Sequence, residues 1–217
     1  WQHPTRGLVS PVEFIPVLEE LGLVVQVGDW ALAEACAQMN RWQAAGMSIP
    51  KISVNLSARQ FADGQLGLRI SRILQEHQLP PTALEVELTE SILMRDVGET
   101  LQILAGLKRL GLCIAVDDFG TGYSSLTYLK RLPVDVLKID QSFVRDATSD
   151  PNDAEIIRAI VAMARSLNLE VIAEGVEQAE QLEFLLQQGC HHYQGYLFSK
   201  PVPLAEFHDL LQANRSR

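Results

Sequence analysis

Six apolar runs in this chain each carry side chains able to do chemistry at or near one end. "KISVNLS" (51–57) carries Asn55, "LEVELTES" (84–91) carries Glu87 and Glu90, and "CIAVDDFG" (113–120) carries the adjacent pair Asp117 and Asp118. "VDVLKID" (134–140) ends in Lys138 and Asp140, "LEVIAEGVE" (169–177) in Glu174 and Glu177, and "YQGYLFS" (193–199) holds Gln194. One acid after a strand is commonly only a helix cap, whereas a succession of polar endings implies a shared mouth. Glu87, Asp117, Asp118 and Glu174 with the Asn55 amide oxygen make a hard, oxygen-only donor set, suited to Mg²⁺ or Mn²⁺. Two such ions about 3.5–4 Å apart clamp the attacking and leaving oxygens of a phosphodiester and lower the pKa of a bound water. Adjacent aspartates repel each other until cations are added; one can then bridge both ions while its neighbour holds the second. Lys138 is the lone cation of the set. It either orients the water and stabilises negative charge or forms a salt bridge to Asp140 or a neighbouring acid.

These residues need strands to carry them. Between the runs lie "GLRISRILQEH", "ETLQILAGLKRLG", "DAEIIRAIVAMARSLN" and "AEQLEFLLQQG", with apolar residues at helical spacing. Alternating strand and helix predicts an α/β fold with a parallel sheet. In a (β/α)8 barrel the C-terminal strand ends meet at one mouth. Side chains alternate along a strand, so Cys113, Ala115 and Asp117 share a face, as do Val136, Lys138 and Asp140. Six strands are two short of a barrel, which leaves an open doubly wound sheet or two strands before Trp1. The first third is expected to be helical without a strand: Ser10, Pro11 and Glu13 form a capping-box pattern, Gly22 breaks the helix, and a second helix runs from about Asp29 to Ala45. Trp30, Leu32, Met39 and Trp42 are spaced as its core residues. "SDPND" (149–153) is expected to be a loop that caps the next helix.

The 217 residues carry a formal charge of −9 and are 47% hydrophobic, which fits one globular domain. The charge argues against a basic cradle for DNA, and a phosphorylated ligand would need cations to approach. No apolar run reaches the roughly 20 residues of a membrane helix. Cys36, Cys113 and Cys190 form no paired motif, which predicts a reduced, cytoplasmic setting.

At these residues the sequence resembles the EAL domain, the bacterial phosphodiesterase of cyclic di-GMP. The resemblance rests on "RGLVSPVEFIPVLEELGLV", "SVNLSARQF", "LEVELTES", "VDDFGTGYSSLTYLKRLPVDVLKIDQSFV", "VIAEGVE" and "GCHHYQGYLFSKPVP", in that order. It implies a modified (β/α)8 barrel with one antiparallel strand. Residues 1–217 would be a single EAL-type domain lacking its first two strands and the Glu-Ala-Leu triplet, whose glutamate is a metal ligand. It implies metal roles for Asn55, Glu87, Asp117, Asp118 and Glu174, and a catalytic role for Lys138 beside the attacking water. Glu90 would steady the loop after the double aspartate. Glu177 and Gln194 would contact the guanine end of the substrate, and Asp140 would support the site from behind. His191 departs from the family's usual aspartate.

The implied activity is metal-dependent hydrolysis of cyclic di-GMP to linear pGpG with two Mg²⁺ or Mn²⁺ ions. A receptor that binds the dinucleotide without cleaving it is the alternative, and a barrel enzyme abstracting a proton beside a carboxylate lacks the second Lys or His it would need. The resemblance also implies a homodimer, with residues 124–150 as a contact, and an upstream sensor, GGDEF-type domain or membrane segment. "DFG" lacks the companion motifs of a kinase. Cys190-His191-His192 lacks a second ligand pair for zinc and is expected to be a turn with exposed histidines. "GTGYSS" is expected to be a mobile loop over the site.

Overall fold

The computed structural model of the chain describes residues 1–47, 49–122 and 126–214. Two compact units make it up: Trp1–Asp117 with Gly122–Val136, and Asp118–Thr121 with Leu137 onward. The strands are β1 (Gln2–His3), β2 (Gly7–Leu8), β3 (Ile52–Asn55), β4 (Leu84–Thr89), β5 (Cys113–Phe119), β6 (Val136–Ile139), β7 (Glu170–Ala173) and β8 (His192–Tyr193).

In the first unit β3, β4 and β5 run parallel, with Asn55 opposite Glu87 and Glu87 opposite Ala115. The Asp135 amide donates to Ile114 O at 2.9 Å, leading the chain into β6. β4 shows why these segments become strands. Leu84, Val86 and Leu88 are all nearly inaccessible, as a strand buried on both sides requires, while Glu85 and Glu87 alternate with them onto the opposite face. Each full burial of such an aliphatic side chain stabilises by about 1.5–3 kcal/mol. The helix Val97–Leu110 begins where the Asp96 carboxylate accepts from the Glu99 amide, and Lys108 in its last turn holds Asp135 at 2.7 and 2.8 Å.

In the second unit the Asp140 amide donates to Phe119 O at 3.5 Å and the Glu174 amide to Ile139 O at 3.1 Å. β7 pairs parallel with β8. The helix Pro151–Leu167 starts at an Asp150 cap with proline in its first turn and stops at left-handed Asn168, the termination that asparagine tolerates best after glycine. The expected cap is present, but the helix already takes in Pro151, Asn152 and Asp153, so the loop expected at 149–153 ends at Asp150. Ile157, Ala164, Ala173 and Leu185 form the unit's buried interior.

The α/β expectation is met: parallel strands alternate with helices. The first third, however, is not strand-free, because β1 and β2 form a short antiparallel pair. Nor does Ser10 cap the helix Pro11–Glu20 through its side chain. Glu13 is drawn to Arg6 at 2.6 Å instead. The second helix begins earlier than expected, spanning Val24–Ala44. Its buried stripe runs through Leu32, Cys36, Met39 and Trp42, and Trp30 falls off it and is 65% exposed. The run at 193–199 is extended only at His192–Tyr193 and then turns. No helix among the described residues is long and apolar enough to cross a membrane.

Candidate functional site

Parallel register sets the donors of the first unit. Residues paired across a parallel sheet point to the same side, so Asn55 and Glu87 stand on one face with Ala115. Asp117, two residues beyond Ala115, returns to that face. Glu87 is buried and Asn55 is exposed at the strand end. Glu90 follows directly as the first residue of the helix Glu90–Leu93 and is 2% exposed. Its carboxylate accepts from the Gly122 amide at 3.4 Å. A Cβ added to Gly122 would lie 2.6 Å from Glu90 Oε1, so glycine is what lets this loop settle on a buried acid. Tyr123, Ser124 and Ser125, the second half of the loop expected to move, lie outside the described residues, as does the start of the expected 124–150 dimer contact.

One layer below, the same face holds a polar group not anticipated from the sequence. Ser53, Glu85 and Cys113 are register partners, and Glu85, 1% exposed, accepts from Lys51 at 2.5 Å, Ser53 at 2.7 Å and Cys113 at 3.0 Å. Burial raises the Glu85 pKa, but these three donors outweigh it and hold the carboxyl below its ordinary value. The Cys113 thiol is pushed up to about 12 by burial and by the neighbouring Glu85 charge. The signal was present: Glu85 lies two residues before Glu87, the spacing that puts both on one face.

The second unit supplies the remaining candidates. Asp118 takes φ +53°, a left-handed conformation uncommon outside glycine and most accessible to Asp and Asn. In an extended strand Asp118 would face away from Asp117; this φ abandons the alternation. Asp118 and Glu174 bring carboxylate oxygens within 4.8 Å of each other. Oxygens each about 2.1–2.4 Å from one shared hard cation lie at most about 4.2–4.8 Å apart, so the pair fits that class of ion in both donor type and spacing. Lys138 is 3% exposed on β6, and its ammonium lies 2.7 Å from Glu174 Oε1. Lys138 thus forms an ion pair with a neighbouring acid, Glu174, which is itself one of the candidate metal ligands.

Glu174, Glu177 and Gln194 line one cleft of about 640 Å³, together with Tyr196 and Phe198. Lys200 Nζ sits 5.4 Å above the Tyr196 ring. The aromatic side of this cleft was not anticipated, although "GYLFSKP" spells it out. Asp140 accepts from the amide and hydroxyl of Ser142, capping the helix Gln141–Asp146. His191 and His192 are both exposed.

Residues 1–201 match the family model of the EAL domain, and the chain belongs to that family. The bifunctional diguanylate cyclase/cyclic di-GMP phosphodiesterase MucR of Pseudomonas aeruginosa is 49% identical over 203 residues, 94% of this chain and 30% of that protein. The cyclic di-GMP phosphodiesterase PdeR of Escherichia coli (strain K12) is 44% identical over 207 residues, covering 95% of this chain and 31% of PdeR. The chain thus spans about a third of the length of these relatives. Among solved structures, the PaMucR phosphodiesterase in complex with c-di-GMP superposes with a TM-score of 0.92 at 48% identity, covering 95% of this chain and 84% of that one.

Proposed function

We propose that the chain is a cyclic di-GMP phosphodiesterase domain that hydrolyses its substrate to linear pGpG with the help of divalent ions, Mg²⁺ or Mn²⁺. The observation that carries this is the grouping of Asp118, Glu174 and buried Lys138, whose distances suit a cation site with one ammonium beside it. The family and the names of its relatives supply the substrate.

Asn55, Glu87, Asp117, Asp118 and Glu174 would hold the ions, which when bound supply Lewis acidity toward the phosphodiester and lower the pKa of a water. Lys138 would stabilise negative charge near the attacked phosphorus; its position, fixed by Glu174, makes that charge preorganised. Glu90 would keep the 120–122 turn in place through the Gly122 amide. Glu177 would accept from the N–H edge of a guanine in the cleft, and Asp140 would hold the chain after Lys138 through its cap. A GGDEF-type or sensor domain in the same protein belongs to the same proposal, supported by the bifunctional naming of MucR, and a homodimer is proposed with it from the family resemblance alone.

The test is turnover of cyclic di-GMP by the native full-length protein with Mg²⁺ or Mn²⁺, scored by formation of pGpG. Metal-dependent pGpG formation is expected. Tight binding without turnover would overturn the enzyme reading in favour of a receptor.

A further inference from the structure

We infer that Gln194 is a positioning residue for Glu174, fixing the rotation of its carboxylate toward a divalent cation; this rests on the metal role proposed for Glu174 above. The Gln194 side-chain amide donates to Glu174 Oε1 at 2.5 Å, the same oxygen that lies 2.7 Å from Lys138 Nζ. Two donors on one oxygen leave the carboxylate little freedom to turn. Only one of them is charged. A neutral amide orients the carboxylate without cancelling the negative charge that a cation needs, which a second ammonium or guanidinium would do.

The backbone makes the contact reproducible. The Gln194 amide donates to Ala173 O at 2.9 Å, and its carbonyl accepts from the Val176 amide at 3.1 Å. Gln194 is therefore tied to the chain on both sides of Glu174. The Leu197 amide then donates to Val176 O at 2.9 Å. Gly195 is what permits this approach: a Cβ there would lie 2.2 Å from Val176 O and 2.3 Å from Val176 N. A side chain at 195 would force the backbone at Gly195 or at Val176 to shift, disturbing the two segments that carry Gln194 and Glu174. Partners that orient a metal ligand in this way typically carry 10–100-fold in affinity or activity.

The experiment compares wild type with Gln194→Leu and Gln194→Ala in the full-length protein. Mn²⁺ binding is titrated calorimetrically without nucleotide, and kcat and KM are measured with cyclic di-GMP. Both variants are expected to bind Mn²⁺ roughly 10–100-fold more weakly, with a matching fall in kcat at limiting Mn²⁺. KM for the dinucleotide should change by less than about 3-fold, while a residue serving only as a base contact loses mainly KM. Unchanged Mn²⁺ affinity in a variant that unfolds at the wild-type temperature would overturn the inference, whatever happens to KM. If wild type binds Mn²⁺ but does not cleave cyclic di-GMP, the phosphodiesterase reading fails while the Mn²⁺ comparison still decides Gln194. A wild type that binds neither Mn²⁺ nor, in the same titration, Mg²⁺ overturns both.

Discussion

Lys138 Nζ and Glu174 Oε1 stand 2.7 Å apart, with the lysine side chain only 4% and the glutamate 14% exposed. Removing the ammonium from so enclosed a pair takes away the charged partner of Glu174, a loss of several kcal/mol in pairs of this kind. Lys138→Met keeps the stem and deletes the charge. We expect kcat to fall by about 10²–10³, the scale of losing one preorganised electrostatic donor, with far-UV circular dichroism unchanged. Near-normal kcat in a folded variant would remove Lys138 from the proposed chemistry.

Asp118→Asn separates charge from backbone. Asparagine accepts the left-handed conformation that Asp118 adopts, so the fold should survive with little change in unfolding midpoint. Metal-dependent turnover should drop by at least about 10²-fold, and added Mn²⁺ should no longer give the rise in unfolding temperature expected of the wild type. Full stabilisation by Mn²⁺ in the variant would exclude Asp118 as a ligand.

Gly122→Ala tests the seat of the loop on Glu90. The new Cβ would stand 2.6 Å from a carboxylate oxygen that is itself buried, so the loop must lift or Glu90 must shift. Overpacking of this kind costs about 1–3 kcal/mol. Shortening the acid should make room, so Glu90→Asp combined with Gly122→Ala should cost less than the sum of the single changes. Strict additivity in urea unfolding would show that the two residues do not meet.

The lower layer predicts a pH dependence. Glu85 is held below its ordinary pKa in the folded chain. Its contribution is therefore fully present above the unfolded carboxyl pKa and is lost as the pH falls through the folded one. Urea unfolding of wild type between about pH 6 and about pH 3 should show this loss. Glu85→Gln should lower stability by about 1–3 kcal/mol at neutral pH and flatten the acid limb. The same variant should speed alkylation of Cys113, whose thiol is pushed up to about 12 partly by the Glu85 charge.

Much of the layout was legible because alternation along a strand is a local rule. Asp117 above Ala115 and Lys138 above Val136 both follow from a period of two. The capping of the helix Pro151–Leu167 was equally local, since Asp150 and Pro151 supply it within one turn. What escaped depended on partners distant in sequence. Glu13 is drawn to Arg6 and so does not complete the Ser10 capping box. Trp30 lies off the buried stripe of its helix because packing selects the line through Leu32, Cys36 and Met39. The link from Gln194 to Glu174 spans 20 residues and depends on a glycine whose neighbour is Val176 backbone. No spacing rule foretells such a contact.

The backbone at Asp118 has a further consequence. A non-glycine residue in the left-handed region carries a conformational cost of roughly 1–2 kcal/mol, and this one sits inside β5, next to the Gly120 turn. Phe119–Thr121 follows directly on this position, and Phe119 is buried. Amide hydrogen exchange at Phe119–Thr121 should slow when Mn²⁺ is added, because an ion held by Asp118 offsets that cost. The rate at which that turn rearranges, rather than the strength of any one ligand, would then set how quickly the site can be loaded and emptied.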